Sequence, residues 1–196
     1  MPPADAIRDY LAGSFRLMMG KPDGIRMLDI SADGFWNSFY AIVVAFPALV
    51  VGWVSLTNAV EGTVFSTRFS MLLRIATMDL AAWLVPLLLL AAFARPAGIG
   101  GRFVHYVVAS NWGSVLFTWM LLPPALLRLI FPGSEEFAAT LSFVIFICTL
   151  VLSWRMTNAV LGMGPLVASG VFGGMFAASV VVLMTAQSLL GLSPAP

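Results

Sequence analysis

Five long apolar runs, at about residues 39–60, 71–94, 103–122, 137–154 and 166–190, constrain this chain more than any other feature. A helix needs about 20 consecutive apolar residues to cross the hydrocarbon core of a bilayer, and each run has about that length. The chain is 60% hydrophobic and only 10% charged, whereas about 25% of the residues in a soluble domain are charged. The sequence therefore predicts an all-α, polytopic integral membrane bundle of five transmembrane helices.

A short polar head precedes these runs, so we divide the chain into a head (1–37), a five-helix domain (38–192) and a tail (193–196). The head holds five of the nine acidic and four of the ten basic residues, which indicates a solvated or interfacial segment. Ile7, Leu11, Phe15 and Met18 recur at helical spacing and predict an amphipathic cytoplasmic helix. This helix lies in the headgroup layer or packs under the bundle, and its mixed charges disfavour a purely electrostatic lipid anchor.

The basic residues predict the orientation of the bundle. With the N-terminus cytoplasmic and the C-terminus periplasmic, seven basic residues lie on the cytoplasmic side and three on the other, which is the expected bias. The ten comprise nine Arg and one Lys in an Ala- and Gly-rich chain, a composition that we associate with bacteria and hence with the inner membrane. Pro123-Pro124 predicts a bend or break in the third span.

Several function classes find little support in the composition. A net charge of +1 gives no electrostatic reason to expect nucleic acid. The single cysteine, Cys148, and the single histidine, His105, argue against disulfides, haem ligation and zinc sites. The chain has no GxSxG, HExxH or Walker motif, so an enzyme is the least supported class. We expect no catalytic residue, no cofactor and no metal.

Ionisable and amide side chains within the spans are the candidates for function, because inserting them into a bilayer is costly. Asp79 is either a cation or proton acceptor at an outward-facing site or a structural residue paired with an Arg or a backbone donor. Asn111 is expected to join helices by hydrogen bonds, and Arg155 to anchor the fourth span at the inner face. The candidate intramembrane polar site comprises Arg74, Asp79, Asn111, Arg155 and Asn158.

The fifth span has a broad face of small residues. Such a face lets two helix backbones approach closely, and a GxxxG spacing in an apolar segment is a helix-packing signal. The partner is another span of this chain, which we favour, or another subunit. The face comprises Gly170, Gly173, Gly174, Ala177 and Ala178.

Three features give the chain a resemblance to a known family. Gly98-Ile99-Gly100-Gly101 leads into the third span, the fourth span ends in residues 154–158 and continues into Leu161-Gly162-Met163-Gly164, and the fifth span is rich in small residues. Over about residues 36–192 this layout resembles the Yip1-like family of five-span membrane proteins. The eukaryotic members of that family are associated with GTPases and membrane traffic, and the resemblance transfers no functional residue.

The leading hypothesis is a non-enzymatic membrane protein that organises or assists a membrane process. Its partners would be membrane lipids, a partner membrane protein or further copies of itself. The alternative is a transporter or channel for a small solute or ion, with its polar site around Asp79 and Asn111. An intramembrane enzyme is the third hypothesis.

Overall fold

The computed structural model describes residues 2–58, 65–131 and 133–189, and every regular element in these segments is helical. Short 3₁₀ turns at Pro22–Met27 and Gly100–Arg102 separate some of the helices. The eight α-helices are α1 (Ala4–Met18), α2 (Ala32–Ser38), α3 (Ala41–Asn58), α4 (Phe65–Phe93), α5 (Phe103–Met120), α6 (Leu122–Ile130), α7 (Glu135–Leu161) and α8 (Pro165–Leu189).

Five helical segments are long and apolar enough to cross a membrane, which confirms the predicted polytopic bundle. Three are the single helices α4, α7 and α8. The others are Ala32–Asn58, which joins α2 to α3, and Gly100–Ile130, which joins α5 to α6. The predicted break at Pro123-Pro124 is present, because α5 ends at Met120 and α6 begins at Leu122. The ends of the first and fifth apolar runs and the tail lie outside the described residues.

The head helix α1 packs against α5 and α7. Leu17 and Met18 are fully buried there, and the ring of Tyr10 lies 5.2 Å from that of Trp112, centroid to centroid. Gly113 on α5 makes this close approach possible. A Cβ atom at Gly113 would lie 2.9 Å from the Met156 sulfur and 3.1 Å from the Met18 Cε.

The buried face of α1 differs from the predicted stripe. Ile7 and Leu11 are partly buried and Met18 is buried, but Phe15 is 53% exposed. Ser14 is completely buried instead, with its hydroxyl 3.5 Å from the Ala109 carbonyl oxygen. Small residues let α1 approach its neighbours, so the helix turns this small-residue edge inward and leaves a large aromatic side chain outside.

Helices α3 and α5 run side by side and parallel. The Asn111 amide donates to the Ser38 hydroxyl just before α3 begins, and the Trp119 indole donates to the Val44 carbonyl farther along both helices. Helix α4 packs against α3 on one side and α8 on the other, and α7 packs against α5, α6 and α8. The densest packing therefore lies where α1, α5, the start of α3 and the end of α7 meet.

Candidate functional site between α3, α4 and α5

Asn111 is fully buried and joins three parts of the chain. Its Nδ2 donates to Ser38 Oγ at 2.8 Å, and its Oδ1 accepts from Trp83 Nε1 of α4 at 3.1 Å. The Ser38 hydroxyl in turn donates to the Phe35 carbonyl at 2.7 Å. A buried amide is costly unless both its donor and its acceptor are used, and here both are.

Asp79 lies one helical turn from Trp83 on the same face of α4, at i and i+4. It is partly buried, and Trp53 Nε1 of α3 donates to its Oδ2 at 2.6 Å. Among the residues that the structure describes, Trp53 is the one hydrogen-bond partner of this carboxylate. The carboxylate therefore faces a neutral donor rather than a described cation.

The Asp79–Trp53 pair lies between two clefts, of about 200 Å³ and about 170 Å³. We call them the first and second clefts, and both are lined by Leu49, Trp53, Asp79 and Thr118. The first cleft is lined in addition by Ile42, Ala45, Leu80, Trp83 and Ser114, and the second by Ala48, Gly52, Leu56 and Leu121. From Ile42 to Leu56 the two clefts follow α3 for about 21 Å at 1.5 Å per residue.

The polar lining of these clefts consists mainly of hydrogen-bond acceptors. Thr118 donates its hydroxyl hydrogen to the Ser114 carbonyl at 2.9 Å, and Ser114 donates its own to the Asn111 carbonyl at 2.7 Å. The Trp53 and Trp83 N–H groups are used by Asp79 and Asn111. The hydroxyl and carboxylate oxygens keep lone pairs available as acceptors, so these clefts suit a positively charged ligand.

The five predicted polar-site residues form three separate groups. Asp79 and Asn111 are linked through Trp83, which lines the first cleft and donates to Asn111. Arg155 and Asn158 line a different cleft, of about 390 Å³, between α7 and the segment after α1. Arg74 is exposed on α4 and lines neither the first nor the second cleft.

The small-residue face of α8 is open. Gly170, Gly174 and Ala178 line a groove of about 380 Å³ against α4, whose wall includes Pro86, Leu90 and Phe93. A Cβ atom at Gly170, Gly173 or Gly174 would meet no heavy atom within 4 Å. Gly173 and Ala177 are also exposed. Among the described residues, these glycines therefore do not make the close helix packing that we expected within the chain. Which helix packs against them stays a prediction.

Sequence reasoning missed the two tryptophans of this site. The Asp79/Trp83 spacing of four placed them on one face of α4, which was the available signal. The pairing of Trp53 with Asp79 joins residues 26 positions apart on different helices, and no local pattern encodes it. Within the described residues no cluster of three His, Cys, Asp or Glu side chains is placed to hold a metal ion.

Comparison with known proteins adds no relative. No protein-family model, no curated protein and no solved structure matches the chain. The resemblance to the Yip1-like family therefore stays a prediction.

Proposed function

We propose that this multi-pass membrane protein is not an enzyme and that it binds a small cation at Asp79 and passes it along α3. The observation that supports this proposal is the position of the Asp79–Trp53 pair between the two clefts. The one described partner of this carboxylate is the neutral Trp53 N–H, and a cleft lies on each side of the pair. The proposal favours transport over the organising role that the sequence placed first.

The chemistry of the lining supports a cation as cargo. An ionised carboxylate in a low-dielectric environment needs a compensating charge, and the indole N–H of Trp53 is neutral. A cation in either cleft would supply that charge, and the Thr118 hydroxyl oxygen lies in the wall of both clefts. Two indole rings line the first cleft, which also suits a small alkylammonium ion.

In this proposal the Trp53 side chain separates the first cleft from the second. Its indole ring lines both clefts, and its N–H occupies one oxygen of Asp79. A cation that moves from one cleft to the other must pass this side chain. Replacing Trp53 with Phe removes the N–H but keeps a ring, so the variant separates the hydrogen bond from the bulk of the side chain.

The test is flux into proteoliposomes that contain the purified protein. Radiolabelled methylammonium and protons, the latter followed with an internal pH dye, are the probes, together with Na⁺ and K⁺. We expect flux of at least one probe, a loss of about tenfold or more in Asp79→Asn, and a changed rate in Trp53→Phe. Asp33→Asn is the matched control, because Asp33 is exposed in the first turn of α2.

Two results would overturn the proposal. One is a folded wild-type protein that carries none of the four cations. The other is equal flux in wild type and Asp79→Asn, which would make the carboxylate irrelevant to transport.

We place the protein in the bacterial inner membrane with its N-terminus in the cytoplasm. The distribution of Arg and Lys supports this orientation. Cysteine-accessibility labelling in spheroplasts tests it, with single cysteines at the exposed positions Asp5 and Gln187 in a Cys148→Ser background. A thiol reagent that cannot cross the membrane should label a cysteine at position 187 and not one at position 5.

The open groove between α4 and α8 supports a second candidate, self-association. A glycine face with nothing within 4 Å lets a second helix approach closely, and small residues four apart are typical of such contacts. We therefore propose that α8 of a second copy occupies this groove. This candidate keeps the organising role that the sequence placed first.

Energy transfer between labelled copies in liposomes tests self-association. A single cysteine at the exposed position Asp5, in a Cys148→Ser background, carries the donor and acceptor dyes. Gly170→Leu and Gly174→Leu should lower the transfer efficiency, and Gln187→Leu, at an exposed position on the opposite face of α8, should not. Transfer no greater than that of randomly distributed copies would refute this candidate.

A further inference from the structure

A cleft of about 390 Å³ lies between the end of α7 and the segment that follows α1. Its wall includes Gly20, Trp154, Arg155, Asn158 and Gly162. It is lined by none of the residues of the first and second clefts or of the groove along α8. It is therefore a separate site from the first and second clefts and from the groove along α8.

The cleft presents a positive charge with hydrogen-bond capacity to spare. Arg155 Nη2 donates to the Met19 carbonyl at 2.6 Å, and among the described residues no carboxylate lies within ion-pair distance of this guanidinium. A guanidinium has five N–H donors. Asn158 follows one turn later on the same face of α7, and its amide makes no hydrogen bond with another described side chain.

The local backbone makes room for this charge. Gly20 has a φ of +76°, and a Cβ atom there would lie 3.2 Å from Arg155 Nη2. The Trp154 side chain of this cleft is also fixed, because its Nε1 donates to Ser169 Oγ of α8 at 3.0 Å. The guanidinium and the indole at this cleft are thus held by contacts with the end of α1 and with α8.

We propose that this cleft binds the phosphate group of an anionic phospholipid. A guanidinium recognises phosphate with two parallel hydrogen bonds, and an amide can donate to a third oxygen. The surface next to the cleft indicates a lipid rather than a soluble phosphate. Gly162 lines the cleft, and beyond it Met163 and Leu166 are 44% and 86% exposed, so apolar surface for acyl chains continues from the phosphate site.

The test measures lipid binding by the intact protein in nanodiscs and in detergent. Native mass spectrometry counts phosphatidylglycerol retained against phosphatidylcholine. We expect preferential retention of phosphatidylglycerol, with affinity falling about tenfold in Arg155→Gln and less in Asn158→Ala. Arg95→Gln is the control, because Arg95 is exposed beyond the end of α4 and does not line the cleft.

Arg155→Gln also removes the hydrogen bond to Met19, so a loss of lipid in this variant can result from looser packing of α1. Asn158→Ala keeps that bond and therefore tests the lipid contact itself. Weakened retention in Asn158→Ala with intact α1 packing, judged by resistance to proteolysis, would support the site. Equal retention of both lipids, or an equal loss in Arg95→Gln, would overturn it. Displacement of the lipid by millimolar inorganic phosphate would show that the site takes soluble phosphate, which would also overturn it.

Discussion

The two sides of this bundle are packed very differently. Where α1, α5 and the end of α7 meet, a Cβ atom added at Gly113 would lie 2.9 Å from a neighbouring sulfur. Along α8, Cβ atoms added at Gly170, Gly173 or Gly174 would meet nothing within 4 Å. Glycine thus has opposite roles on the two sides. On the first it allows closely packed helices, and on the second it leaves a groove for something else.

This difference in packing predicts which residues contribute to stability and which to binding. The Asn111 amide on the dense side uses both its donor and its acceptor within the chain. On the open side α8 packs against α4, but Gly170, Gly173 and Gly174 leave space beside them. We therefore expect substitutions on the dense side to change the free energy of unfolding, and substitutions along the α8 groove to change association with little effect on folding.

The largest expected effect is that of Leu17→Ala on α1. Leu17 is fully buried against α5 and α7, so the change removes buried methyl groups and leaves a cavity, at a cost of about 3 kcal/mol. Leu166→Ala, the same change at an 86% exposed position on α8, should cost little. Reversible unfolding in mixed micelles, followed by circular dichroism, gives both values. Similar values for both variants would refute the comparison.

A smaller loss is expected from Gly113→Val. The new side chain must displace Met156 and Met18, which are flexible, so the overpacking should cost about 2 kcal/mol. Gly174→Val makes the same change in the open groove, and its added methyl groups have space. The same unfolding assay compares the two. A larger loss in Gly174→Val than in Gly113→Val would mean that the groove is closed in the folded protein.

Removing the buried amide in Asn111→Leu should cost about 1 kcal/mol, the scale of hydrogen bonds between helices in membranes. The variant leaves the Trp83 N–H without its acceptor and the Ser38 hydroxyl without its donor. Gln187→Leu, at an exposed amide on α8, is the control and should not lower stability. If Asn111→Leu is neutral, the network positions the first cleft without contributing to stability.

The sequence predicted the elements of this fold but not the contacts between them. Hydropathy identified five spans, and Pro123-Pro124 identified the break between α5 and α6. Both are local properties of the chain. The prediction of the inward face of α1 was wrong at Phe15, which is exposed. A hydrophobic stripe does not reveal that Ser14 faces the Ala109 carbonyl across the interface.

The candidate site was predictable to a similar extent. Asp79 and Asn111 were identified because polar groups within apolar runs are costly. Their partners Trp53, Trp83 and Ser38 come from other helices, and amphipathic spacing cannot assign partners across a bundle. Arg155 and Asn158 were identified as polar residues near the end of a span, but their cleft depends on Gly20, which follows a different helix.

The smallest expected effect lies on the solvent side of the dense region, where Arg16 of α1 is paired with Asp23 in the following turn. The hydrogen bond from Arg16 holds the pKa of the Asp23 carboxyl below its ordinary value. A carboxyl whose pKa is lower in the folded protein stabilises it above the unfolded pKa, and this contribution disappears as the pH falls through the folded pKa. The stability difference between wild type and Asp23→Asn should therefore be small at neutral pH and vanish in acid. Because the pair is exposed, raised salt should reduce the difference as well. A difference that persists in acid would mean that the Asp23 side chain acts through the shape of the turn rather than through its charge.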